Sequence, residues 1–266
     1  MALAFDKIVL FGDSITQLAY DPACGFCFGA AMQHAYCRKL DVIQRGFGGY
    51  NSDHAVTIID HLIQQETTMQ SAIKLMAGLS FGFWIWFPIL GRSDLMTFVA
   101  RLFSSARTTL SRLIARVEQS GAKVVLVGPG PFNHHQFVAA NGKEFFCDRT
   151  TIRARAYCDA AIEVGKERKV PTVPLWYLIM EELGWKDGDP IYGLEELSAE
   201  NPLNEYLSDD GRPGVHYLGK AYKVEFTNVI KAIKDFYPEL DPDRLSEKLP
   251  AWDVITSLDM LYEATA

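Results

Sequence analysis

The sequence predicts an α/β fold, a three-layer sandwich in which a parallel five-stranded sheet carries helices on both faces. Three observations carry that expectation. Short apolar runs recur along the chain, and between them lie longer stretches whose apolar residues are spaced by three and four. Strand and helix alternate regularly, the order in which crossover helices link parallel strands. No internal repeat or low-complexity linker interrupts the alternation, so the chain reads as one domain.

Taken in order, Lys7–Phe11 is the first strand, followed by Gly12. A helix is expected over Phe26–Arg38, the second strand over Leu40–Arg45 and the next helix over Ser52–Gln65. The most apolar segment, Gly78 to Leu90, is about 13 residues long and interrupted by Pro88, whereas a bilayer span takes roughly 20. It reads as a buried strand at Phe83–Phe87. Leu95–Ser120 follows as a helix, with Leu110, Leu113, Ile114 and Val117 on one buried face and Gly121 as its stop. Lys123–Val127 is the fourth strand, Arg149–Lys169 a helix, Val170–Leu175 the fifth strand and Gly219–Phe236 the last helix. Gly184–Pro213, rich in Gly, Pro, Asp and Glu, reads as a surface loop with short helical pieces. The domain is placed at 1–240; 241–266 is a C-terminal tail packed back on it by Leu245, Leu249 and Trp252.

Hydrophobic residues make up 48% of the chain and charged ones 22%, ordinary globular usage with enough apolar material for a large core. A formal net charge of −7 lacks the basic stripe that nucleic acid requires, so no such partner is expected. Met1 to Phe11 has no basic leader and runs straight into the first strand, so no secretory signal is read there and no membrane span is expected. Five cysteines, an odd set, fit free thiols in a reducing, cytoplasmic compartment. Cys24 and Cys27 form a C-x-x-C without a second ligand pair or a thioredoxin-like strand before it. His134-His135 has no acidic or Cys partner at ligand spacing and reads as an exposed loop, so no metal is expected.

In a parallel sheet, ligands bind beyond the carboxyl ends of the strands. The first strand ends in Gly12-Asp13-Ser14, where a sharp turn places the Ser14 hydroxyl at the crevice and its N–H near a helix start. The competing reading is a simple Ser or Asp helix cap. A serine needs a base, and among six histidines His216 stands out, shortly after Asp209-Asp210 and just before the last helix. A carboxylate beside the base orients it and stabilises the imidazolium.

With these residues in view, the chain resembles the SGNH (GDSL-type) hydrolases, and within them the isoamyl acetate-hydrolysing esterase branch. The resemblance rests on Gly12-Asp13-Ser14, on Gln44-Arg45-Gly46-Phe47-Gly48-Gly49-Tyr50, and on the run from Asp209-Asp210 through Val215-His216 and Gly219 to Tyr222. It extends through Arg38-Lys39-Leu40-Asp41, Gly128-Pro129-Gly130 and Phe236-Tyr237-Pro238. It implies a flavodoxin-like sandwich and hydrolysis of short-chain, acetate-type carboxylic esters with no cofactor. It makes Ser14 the nucleophile, the N–H groups of Ser14 and Gly49 the oxyanion donors, His216 the base, and Asp210, or next to it Asp209, the orienter. The partner implied is a small-molecule ester.

The chain departs from that pattern twice. The family's third block, G-x-N-D at the end of strand three, supplies a further oxyanion donor from its Asn. Here no asparagine stands between Asn51 and Asn133, and Gly91-Arg92-Ser93-Asp94 has Ser in its place. Read in a shifted frame from the Ser93 codon, the same stretch permits Gly-Ser-Asn-Asp-Val. Residues 77 to about 107 are then either divergent or partly translated intron. The second departure is spacing: the family places Asp three residues before His, whereas Asp210 stands six before His216, as though Arg212-Pro213-Gly214 were inserted. Two functions stay open, a serine esterase and a catalytically impaired relative on the same fold.

Overall fold

Five strands, β1 (Lys7–Gly12), β2 (Asp41–Gly46), β3 (Ile73–Gly78), β4 (Lys123–Gly128) and β5 (Thr172–Pro174), form one parallel sheet in the order β2-β1-β3-β4-β5. That is the flavodoxin-like order of a doubly wound sheet, with its switch point between β1 and β3. The structure, a computed structural model, describes residues 4–68, 70–78, 95–142, 150–194, 201–208 and 213–264.

Strand alternation divides the core in two. Ile8 and Leu10 of β1, Leu75 and Ala77 of β3, and Val125 and Val127 of β4 pack against α2 (Phe28–Ala35), α7 (Leu175–Glu182) and α8 (Gly219–Phe236). Val9 and Phe11, Met76, and Val124 and Leu126 face the other way, against α3 (Ser52–Glu66), α4 (Leu95–Gln119) and α6 (Thr151–Arg168). The face read from Leu110, Leu113, Ile114 and Val117 is buried as expected, and α4 ends two residues before Gly121, which takes φ +86.

The third strand is displaced from its expected place. It is Ile73–Gly78, while Phe83–Phe87 lies outside the described residues. Lys74, Met76 and Ala77 are weak strand formers, so local preference pointed to the aromatic run further on. Pairing on both sides decides otherwise: Leu10 aligns with Ala77 and Phe11 with Gly78, and Leu75 with Lys123. Strand β5 is also shorter than read, because Leu175 opens α7 and buries Trp176, Ile179 and Met180. Two further helices, α1 (Ser14–Gln17) and α5 (His134–Asn141), complete the crevice side. His134 and His135, read as an exposed loop, form the half-buried first turn of α5, capped by Asn133.

Gly184–Pro213 is not a surface loop throughout, since its described part buries Asn201, Leu203 and Leu207. Past Leu240 the chain straps across the end of α2 and the start of β2. Tyr36 donates to Leu240 O (2.8 Å), Lys39 to Pro242 O (2.6 Å), and Arg38 to Leu249 O and Pro250 O (3.0 and 2.8 Å). Leu245 packs against the core, but Trp252, expected beside it, is 86% exposed. Among the described residues no helix is long and apolar enough to cross a membrane.

Candidate active site

Ser14 is the first residue of α1, directly beyond β1 at the switch point. Asp13 caps the turn, its Oδ1 accepting from Ile15 N at 2.9 Å. The helix lies hard against β2: a Cβ on Gly46 would stand 2.0 Å from Gln17 N, so the strand end must be glycine. Gln44 Nε2 donates to Thr16 O and Gln17 O (3.2 and 2.8 Å), and Tyr222 of α8 donates to Ile15 O (2.7 Å). Asp13, Ser14 and Thr16 are buried, so the Ser14 turn is rigidly seated. Arg45, from the same resemblance run, points elsewhere and pairs with buried Glu66.

Gly49 lies in the next turn. Tyr50 N donates to Phe47 O (3.1 Å), and Gly49 takes φ +81 at the third position, the type II geometry that requires glycine there. Phe47 N donates to Gly12 O (2.9 Å) and Gly48 N to Gln17 Oε1 (2.7 Å), tying this turn to the Ser14 turn. Among the described residues nothing accepts from the Gly49 N–H, the group the resemblance assigns to the oxyanion.

His216 arrives from the far end of the chain, and its Nε2 stands 3.1 Å from Ser14 Oγ. The loop that carries it is closed at a neck: Ser208 N donates to His216 O and Gly214 N to Ser208 O, both 2.8 Å. Leu207 bridges Tyr217, and Leu218 N donates to Tyr206 O (2.8 Å). Buried Tyr217 accepts from Gly130 N (2.7 Å), and burial raises its phenol well above the ordinary value. Asp209 and Asp210 lie outside the described residues. Gly214, which reads as part of an insertion, is an integral member of that neck.

Strand β3 ends at Gly78, aligned with Phe11 and with φ +108; a Cβ there would stand 2.5 Å from Phe11 O. Residues 79–94, among them Gly91-Arg92-Ser93-Asp94, read as the altered third block, lie outside the described residues.

Glu225 of α8, which feels the charge of Asp13, is buried with Oε2 unpartnered. Burial first, and then the charge of Asp13, push its carboxyl up to about 8. Sequence reasoning missed Glu225, Gln44 and Asn133 as supports of the site. Gln44 stood inside the resemblance run, but nothing in the sequence marked Asn133 or Glu225.

No family model matches the chain. Among solved structures it resembles an alpha/beta hydrolase enzyme from the metagenome of Lake Arreo, Spain (17% identity, TM-score 0.53, 87% of this chain and 96% of that one). It also resembles an acetylxylan esterase from Geobacillus stearothermophilus (12% identity, TM-score 0.53, 87% and 96%). At these identities the likeness shows the fold. Among curated proteins it is 26% identical to the isoamyl acetate-hydrolyzing esterase of Saccharomyces cerevisiae, over 93% of this chain and 94% of that one. It is 38% identical to the isoamyl acetate-hydrolyzing esterase 1 homolog of Homo sapiens, over 77% of this chain and 79% of the relative. With that identity over that span, the chain belongs to the isoamyl acetate-hydrolysing esterase family of GDSL-type ester hydrolases.

Proposed function

We propose that this protein hydrolyses short-chain, acetate-type carboxylic esters through a Ser14–His216 pair oriented by Asp210, with backbone oxyanion donors. The 3.1 Å approach of His216 Nε2 to Ser14 Oγ at the sheet's switch point carries the reading. With its proton on Nδ1, His216 accepts the Ser14 hydroxyl proton at Nε2 as Oγ attacks the ester carbonyl. The N–H groups of Ser14 and Gly49 hold the tetrahedral oxyanion. His216 returns the proton to the leaving alcohol, and then activates the water that splits the acyl-Ser14 ester. No metal or cofactor enters these steps. The catalytic domain is 1–240 with 241–266 as a strap, and the free thiols of Cys24, Cys27, Cys37 and Cys158 suit a reducing cytoplasm.

A second reading, an impaired relative, draws on Gly91-Arg92-Ser93-Asp94, in which Ser stands in place of Asn. Fluorophosphonate labelling with p-nitrophenyl acetate kinetics separates the two. Label should appear on Ser14, and Ser14→Ala or His216→Ala should lower turnover by about 10⁴–10⁶. His134→Ala and His135→Ala should stay within a few-fold. Label on a different serine sinks the assignment, and no label at all favours the impaired reading.

A further inference from the structure

The His216 loop has two arms, residues 201–208 running in and 213–218 running out, and one buried residue holds both, one by its side chain and the other by its backbone. Asn133 follows β4 and is fully buried. Its Nδ2 donates to Asn204 Oδ1 on the incoming arm (2.9 Å), and its backbone N–H donates to Gly214 O on the outgoing arm (2.9 Å). Its Oδ1 accepts from Gln136 N (3.2 Å), which anchors the clamp to the first turn of α5. Contact is tight, since a Cβ on Gly214 (φ +72) would stand 2.1 Å from Asn133 O. Helix α5 adds two further ties, His134 N to Gly193 O (2.7 Å) and Gln136 Nε2 to Leu207 O (3.4 Å).

The chemistry demands an amide at position 133. One end must accept from a helix N–H while the other donates to Asn204, and neither a carboxylate nor an aliphatic side chain does both. The arms it joins meet at Ser208, whose N–H bonds to His216 O. A misplacement of about 1 Å at a reacting pair costs on the order of 10² in rate.

We propose that Asn133 is a positioning residue for ester hydrolysis, clamping both arms of the loop so that His216 Nε2 stays at hydrogen-bond distance from Ser14 Oγ. The proposal rests on the serine-hydrolase reading of that pair. Asn204 is half-buried, so a carboxylate there reaches solvent and keeps the acceptor for Asn133 Nδ2, whereas leucine removes it.

The test compares the full-length parent, Asn133→Ala, Asn204→Leu and Asn204→Asp by p-nitrophenyl acetate kinetics and by amide hydrogen exchange. Asn204→Leu should lower kcat about 10- to 100-fold with KM within about twofold. Exchange over residues 201–218 should quicken at least about tenfold while β1 and α1 keep the parent's rates. Asn133→Ala should do the same more strongly, and Asn204→Asp should restore both readouts. Parent-like exchange and kcat in Asn204→Leu, failure of Asn204→Asp to restore them, or faster exchange spread equally over β1, would each overturn the clamp. A parent that neither takes label at Ser14 nor turns over ester defeats the hydrolase reading instead. The exchange comparison then decides by itself whether Asn133 holds the loop.

Discussion

The turn that carries Ser14 and the loop that carries His216 meet over 3.1 Å, yet they are built in opposite ways. The serine turn follows its strand at once. Asp13 caps it, Gly46, Gln44 and Gly48 of the neighbouring strand and turn brace it, and its bracing from beyond residue 50 is Tyr222. Among the described residues no strand leads into the histidine loop. It is closed by its own neck at Ser208 and held by residues at positions 130 and 133. A capped turn against a strand tolerates no change in length. A loop closed at a neck accepts extra residues inside the neck at small cost, because closure entropy grows slowly with length.

If the serine side is complete as built, a defect in turnover lies elsewhere around the crevice. Replacing residues 79–94 by Ser-Asn-Asp, so that Gly78 leads into an Asn donor, should raise kcat by about 10²–10³, or roughly 2.7–4 kcal/mol. Mass spectrometry of the fluorophosphonate adduct should still find the label on Ser14. An unchanged rate with labelling intact would move the limitation to the histidine loop and break the comparison at its strongest point.

A smaller effect tests the seating of the serine turn. Glu225, near the charge of Asp13, has its carboxyl raised to about 8 in the folded chain, against an ordinary value near 4.5. Between those values the native state holds a proton that the unfolded state has released. Stability therefore falls as pH rises from about 4.5 and levels off above about 8. Glu225→Gln should remove this slope, leaving the two proteins alike near pH 4.5. By differential scanning calorimetry the variant should melt roughly 5 °C higher at pH 8.5. Parallel melting curves across the range would show that the Glu225 carboxyl is not raised.

The smallest effect is a control outside both regions. Trp252→Ala, at an 86% exposed position on the tail, should change stability by less than about 0.5 kcal/mol and leave kcat untouched. A larger loss in a urea titration would mean that the strap reaches the site.

Local pattern was enough for four of the five strands and for the buried face of α4, and the two residues it singled out, Ser14 and His216, lie 3.1 Å apart. Strand three was misplaced because its residues are poor strand formers, made strand by partners on either side. α5 and α7 escaped notice for a related reason: short segments after a strand become helical when a cap such as Asn133, or a buried stripe such as Trp176, Ile179 and Met180, has somewhere to go.

The sequence by itself determined the alternation of strand and helix and the Gly12-Asp13-Ser14 turn beyond the first strand, since each depends on residues within a few positions of one another. The tertiary structure decided what depends on meeting across the chain. Gly78 ends the third strand in line with Phe11, whose carbonyl oxygen would lie 2.5 Å from a Cβ there. Glu225 has its carboxyl pushed up because it is buried on α8 near the charge of Asp13. His216 reaches Ser14 across a separation of 202 residues because Asn133, Ser208 and Gly214 close its loop, and a hydrogen bond between distant segments leaves no period or spacing in the sequence to read.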